Sequence, residues 1–126
     1  MQIYDHDSPE AITFKSNSIE LDNWISHLEY IEKEINNLLN VGNGELSTVL
    51  EQKQVLVKLS IKREENRVNL NVLKKHKNNL PQAIECEDVD CDMFYVTEHE
   101  RIRKIYLYHL EKYRGVKEEY FNILNK

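Results

Sequence analysis

Little in this chain bends it. Its 126 residues contain only three glycines and two prolines. That is too few turn-formers for a many-stranded β architecture, a collagen or a low-complexity disordered chain. Two cysteines, Cys86 and Cys91, cannot staple a disulfide scaffold, and in a reducing compartment they are expected to stay thiols. No apolar run approaches the ~20 residues that a membrane span needs, so no membrane partner is expected. The first residues, Met1-Gln2-Ile3-Tyr4-Asp5-His6-Asp7, are acidic and lack the apolar core of a secretory signal. The expected compartment is therefore the cytoplasm.

An excess of basic charge is also missing. Lys and Arg number 17 against 22 Asp and Glu, a formal net charge of −5, which argues against nucleic acid as a partner. The basic run Lys74-Lys75-His76-Lys77 reads as a solvated helix end that favours the dipole. Scattered glycines build no phosphate-cradling loop, and no strand-turn-helix nucleophile elbow occurs. Catalytic residues and a bound cofactor are accordingly not expected.

What remains is a chain with 31% charged residues and 40% apolar ones, patterned at helical spacing. Leu21, Trp24, Leu28, Ile31, Ile35 and Leu38 follow one another by 3, 4, 3, 4 and 3 residues, a heptad seam. This predicts a first helix from about Ser18 to Val41, with Gly42 as a left-handed C-cap. Residues 1–17 are expected to be irregular, with at most a short turn at Ser8-Pro9-Glu10. A second helix is predicted from about Glu45 to Leu80, stopped by Pro81. It carries two apolar stripes: Leu46, Leu50, Val57, Ile61, Val68 and Val72 on one side, and Val49, Leu56, Leu59, Leu70 and Leu73 on another.

Residues 81–96 read as an acidic loop, and Thr97-Glu98-His99-Glu100 as a capping box. The third helix would run from about Glu98 to Leu124, along a seam of His99, Ile102, Tyr106, His109, Tyr113, Val116, Tyr120 and Ile123. Long helices joined by short links favour antiparallel neighbours. The expected fold is all-α: an up-down-up, coiled-coil-like three-helix bundle over residues 18–126, preceded by the irregular segment 1–17.

Three stretches resemble a group of small, helical, uncharacterised proteins common in Bacteroidetes bacteria. They are Asn23 to Leu28 with Glu34-Ile35; Gln54 through Leu80 with His76 near its end; and Glu98 to Arg103 followed by Leu110 to Tyr113 and Lys117 to Phe121. The resemblance implies a helical bundle and no particular activity. The Cys86–Cys91 loop lies outside its pattern.

Two polar constellations are candidates for chemistry. If the last two helices form a hairpin, His76 and His99 fall at one height, and the loop between them holds Cys86 and Cys91. Two imidazoles and two thiolates are a suitable tetrahedral set for Zn²⁺, although the spacing matches no established zinc pattern. A Ca²⁺ site is weaker, because the acidic run lacks the EF-hand glycine and terminal Glu. The second constellation is His109, expected level with Glu64, Glu65 and Glu20. No Glu-x-x-His motif occurs in the chain, so a di-iron centre of the ferritin-like kind is not expected. The line Tyr106, Tyr113, Tyr120 reads as seam packing with wet or bonded hydroxyls.

The reading favoured by sequence is a non-enzymatic interaction protein that self-associates as a homodimer. Because the first predicted helix is shorter than the second, Val68, Leu70, Val72 and Leu73 are the expected contact residues. The alternative is a zinc-binding bundle with ligands His76, Cys86, Cys91 and His99.

Overall fold

The computed structural model describes residues 2–4, 6–46 and 49–125, except for the side chain at position 84. Its elements are α1 (Pro9–Glu45), α2 (Leu50–Asn79), the single turn α3 (Pro81–Ile84) and α4 (Val89–Leu124). The three long helices form an all-α bundle. Polar pairs give their directions. Asp22–Lys77 and Glu32–Arg67 set α1 antiparallel to α2, and Lys58–Glu119 with Asn66–His109 sets α2 antiparallel to α4. Glu20–His99 and Glu34–Lys117 set α1 parallel to α4. This is the expected up-down-up order.

Helix α1 starts nine residues earlier than Ser18, so most of segment 1–17 is not irregular. Ser8 caps it, its side chain accepting from the Ala11 N–H at 3.1 Å, and Pro9 takes the first helical position. Ser16, Asn17 and Ser18 are poor helix formers, but propensity is overridden by packing. Phe14 packs against the core, and the buried Ser18 hydroxyl donates back to the Phe14 carbonyl at 3.0 Å. Upstream, Asp7 accepts from the Tyr4 N–H and the Lys15 ammonium, both at 2.8 Å.

Gly42 is not a left-handed C-cap. No described glycine has positive φ, and α1 runs on through it to Glu45. Its role is close approach: a Cβ there would collide with the Leu56 side chain and sit 3.2 Å from the Tyr120 ring. Helix α2 begins at Leu50 instead of Glu45, without a side-chain cap at Val49. Residues 47 and 48, which the expected second helix included, lie outside the described residues. Pro81 ends α2 as expected and opens the turn α3.

Helix α4 also starts early, at Val89, within the stretch expected to be loop. The Asp88 carboxylate accepts from the Cys91 N–H at 2.7 Å, and Asp90 and Asp92 occupy the first turn. That acidic run is a helix N-terminus favoured by the dipole. Thr97 therefore lies inside the helix, and the expected capping box does not form.

The core holds Leu21, Trp24, Leu28, Ile31, Ile35 and Leu39 of α1, Val55, Leu59, Leu70 and Leu73 of α2, and Ile102, Tyr106, Tyr113, Tyr120 and Ile123 of α4. Both predicted seams are recognisable, with Leu39 taking the buried place expected of Leu38. Two of the three glycines make a paired test. Gly115 is helical with open space around it, so Gly115→Ala should raise stability by about 0.5–1 kcal/mol. Gly42→Ala should lower it by about 1–3 kcal/mol through overpacking. Urea midpoints of the two variants check the opposite signs.

Candidate functional site

At the hairpin end the bundle gathers a polar cluster inside an aromatic wall. His99 of α4 is buried, and its Nε2–H donates to the Glu20 carboxylate of α1 at 2.7 Å. The Arg103 guanidinium holds the same carboxylate and lies 5.8 Å from the Trp24 ring centre. Trp24 stacks between the His99 and Tyr106 rings, at 5.0 and 5.1 Å. His76 of α2 comes within 5.7 Å of His99, ring centre to ring centre. Partial burial works to raise the Glu20 carboxyl, but its bonds to Arg103 and His99 outweigh that and hold it below the ordinary value. Burial, with His99 close by, pushes His76 down.

His76 and His99 are thus brought together, as expected from the hairpin. Each keeps one nitrogen, Nε2 of His76 and Nδ1 of His99, buried without a hydrogen-bond partner. The thiols do not complete the expected set. Cys86 and Cys91 are joined as a disulfide, with Cα atoms 5.5 Å apart. A disulfide sulfur has lost the thiolate that binds metal, so the four-ligand zinc site is not formed in the oxidised chain. Among the described residues no group of three candidate ligands converges. Cys86 and His99 do line one groove, together with Phe14, Tyr95 and Asp92.

The second constellation changes partner. His109 does not meet Glu64, Glu65 or Glu20 through a hydrogen bond. Its Nε2 lies 2.8 Å from Asn66 Oδ1, and the Asn66 amide donates to the Leu28 carbonyl at 2.8 Å. A carbonyl only accepts, so the amide nitrogen must face Leu28 and its oxygen must face His109. His109 is then the donor through Nε2–H. Asn66 is fully buried, and no hydrophobic-spacing argument pointed to it. A polar residue on the core side of α2 was the available signal.

Further along, the Tyr106 hydroxyl pairs with His27 Nδ1 at 2.6 Å, Tyr113 donates to Glu34, and Tyr120 donates to the Leu38 carbonyl at 2.9 Å. Burial, reinforced by Glu34, pushes the Tyr113 hydroxyl well above its usual range. Each ring packs in the seam and each hydroxyl finds a bond, which suits a structural ladder.

The outward side of α2 is different. Leu50, Val57, Ile61 and Val68 are 71%, 58%, 53% and 62% exposed. At ~100° per residue they share one line, roughly 180° from the core line of Val55, Leu59, Asn66 and Leu70. The expected contact set needs correction. Leu70 and Leu73 are buried at 8% and 1%, Val72 is half-buried against the core, and only Val68 belongs to the open stripe. The length argument behind that set fails because α1 has 37 residues and α2 has 30. The pairs Asp22–Lys77 and Glu32–Arg67 set residues 22–32 of α1 level with residues 67–77 of α2, so α1 covers the core side of the end that was expected to be bare. Beside the stripe, Ile105 and Tyr108 of α4 line the same groove as Val57, Ile61 and Val68.

The chain matches no known family, no curated protein and no solved structure. No helix among the described residues is long and apolar enough to cross a membrane.

Two measurements follow from the cluster. The unreduced chain should resist thiol alkylation and take up two alkyl groups only after reduction; two labels without reductant would remove the disulfide. Burial also depresses His109, with Lys62 adding to the effect. His76 and His109 therefore take up protons more readily unfolded than folded. Their contribution is complete above the ordinary histidine value of 6.5 and is lost as pH falls below it. The melting temperature should drop between about pH 7.5 and about pH 5.5, with a shallower drop in His76→Leu. Glu20 has the same sign of dependence at lower pH: its contribution holds above the ordinary carboxylate value of 4.5 and fades below it, outside this window.

Proposed function

We propose that this is a non-enzymatic helical interaction protein that acts through the outer face of α2 and self-associates. The observation that carries the reading is the line of Leu50, Val57, Ile61 and Val68, more than half exposed and opposite the core. Single exposed apolar residues are ordinary, but four in a continuous line along one helix are the pattern of a contact face. The buried polar groups support the same reading. The tyrosine hydroxyls, His109 and Asn66 are absorbed in holding helices together, which is structural work. Membership in the small helical proteins common in Bacteroidetes is part of this proposal, and so is a cytoplasmic location.

A reducing cytoplasm favours a second reading. There the Cys86–Cys91 bond would open, and the reduced chain would bind zinc through His76, Cys86, Cys91 and His99. The buried, unpartnered nitrogens of His76 and His99 support it. Metal analysis of protein purified under reductant separates the two: one tightly held zinc per chain, lost in Cys86→Ser, favours the second reading.

Sedimentation across a wide concentration range tests the first. The mass should rise from 15.1 kDa towards twice that value. A mass that stays at the monomer value at every concentration would overturn self-association.

A further inference from the structure

The outer stripe of α2 has a symmetry of its own. Leu50 and Val68 each stand nine residues from Leu59, and Val57 and Ile61 each stand two residues from it. A two-fold interface requires that when residue i meets residue j, j also meets i. A line of apolar residues symmetric about its midpoint meets that condition when two copies run antiparallel. Resting on the self-association reading above, we propose that two copies pair their α2 helices antiparallel about a two-fold axis at the level of Leu59. Leu50 of one copy then packs against Val68 of the other, and Val57 against Ile61.

The charges beside the stripe agree with this direction. At ~100° per residue, Lys53 and Glu64 lie on the same flank of the line, the side facing α1, and Gln54 and Glu65 lie on the other. In the antiparallel pair, Lys53 of each copy faces Glu64 of the other within one residue of register. Gln54 faces Glu65 in the same way. A parallel pair brings opposite flanks together at equal height, which sets Glu64 of each copy beside Glu65 of the other, and like charges in such positions repel. Both acids are exposed, and each is held by a cation on its own helix, Glu64 by Arg67 and Glu65 by Lys62. Lys53 is exposed as well.

Helix α4 extends the contact on the second flank. The His109–Asn66 bond fixes the level of Tyr108 near Val68. Tyr108 is itself 63% exposed and would lie beside Leu50 of the other copy. Leu50 and Val68 stand 18 positions apart, roughly 27 Å of helix. A pairing of one helix from each copy falls at the small end of specific interfaces, below about 1,200 Å² in total. The dimer is therefore expected to be weak and in exchange with monomer.

Sedimentation equilibrium on the full chain and four variants tests the arrangement. Ile61→Glu should leave the melting temperature close to that of the wild type, because Ile61 is on the surface, and should hold the mass at 15.1 kDa. Lys53→Glu and Glu64→Lys should each weaken the dimer roughly 2–30-fold, since the exposed pair occurs twice. The double variant should recover wild-type affinity, which only the antiparallel register provides. If Ile61→Glu dissociates the dimer but the double variant fails to recover, the register is wrong while self-association through this face stands. If Ile61→Glu leaves the dimer intact, the stripe is not the interface. A wild type that is monomeric at millimolar concentration removes the self-association reading together with this proposal, and assigns the stripe to a different partner.

Discussion

The bundle depends most on one buried amide. Asn66 lies at the centre of α2 with no exposed surface, and an unsatisfied amide there would cost several kcal/mol. Its two ends are met by the Leu28 carbonyl of α1 and by His109 of α4. A slide of any helix by one turn, about 5.4 Å, breaks at least one of these bonds. Apolar contacts alone tolerate such slides, because one leucine can replace another at similar depth. A single polar residue in a helical core is a known means of specifying register at some cost in stability, and Asn66 has that position here.

The α1–α4 side is built by another rule. Glu20–His99, His27–Tyr106 and Glu34–Tyr113 are each separated by 79 residues, so one polar bond recurs at each heptad along two parallel helices. The side chains between them are large: Trp24, Tyr106, Tyr113 and Tyr120. They hold α1 and α4 further apart than either stands from α2. Gly42 marks the contrary case, where α1 approaches Leu56 of α2 too closely for a side chain to fit. The bundle is thus asymmetric, tight around α2 and aromatic across the α1–α4 gap. The tyrosine hydroxyls of that gap are used in holding helices together, while the outward face of α2 keeps a line of exposed apolar residues.

Much of the fold was legible in the residues. Heptad spacing identified the α1 and α4 seams, and Pro81 marked the end of α2, because burial of one helical face imposes a period that needs no tertiary information. The alignment of His76 with His99 followed from the hairpin alone. Helix starts were misread where local propensity and tertiary packing disagree. Ser16 to Ser18 look like loop until Phe14 and Ser18 are seen against the core. The acidic run before Thr97 hid a cap at Asp88, since two competing N-terminal signals occur within ten residues.

Sequence by itself determined the class of fold, the period of each seam and the presence of two apolar stripes on α2. Only the tertiary structure decided which of those stripes is core. Periodicity assigns residues to faces but does not say which face a neighbour covers; that depends on where α1 and α4 sit, and both pack on the Leu59–Leu70 side. The partners of the polar side chains were likewise undetermined. His109 could be placed at a height along the bundle but not matched to Asn66 over Glu64 or Glu65, because neighbouring residues on one helix differ by about 100° in direction while differing by only 1.5 Å in height.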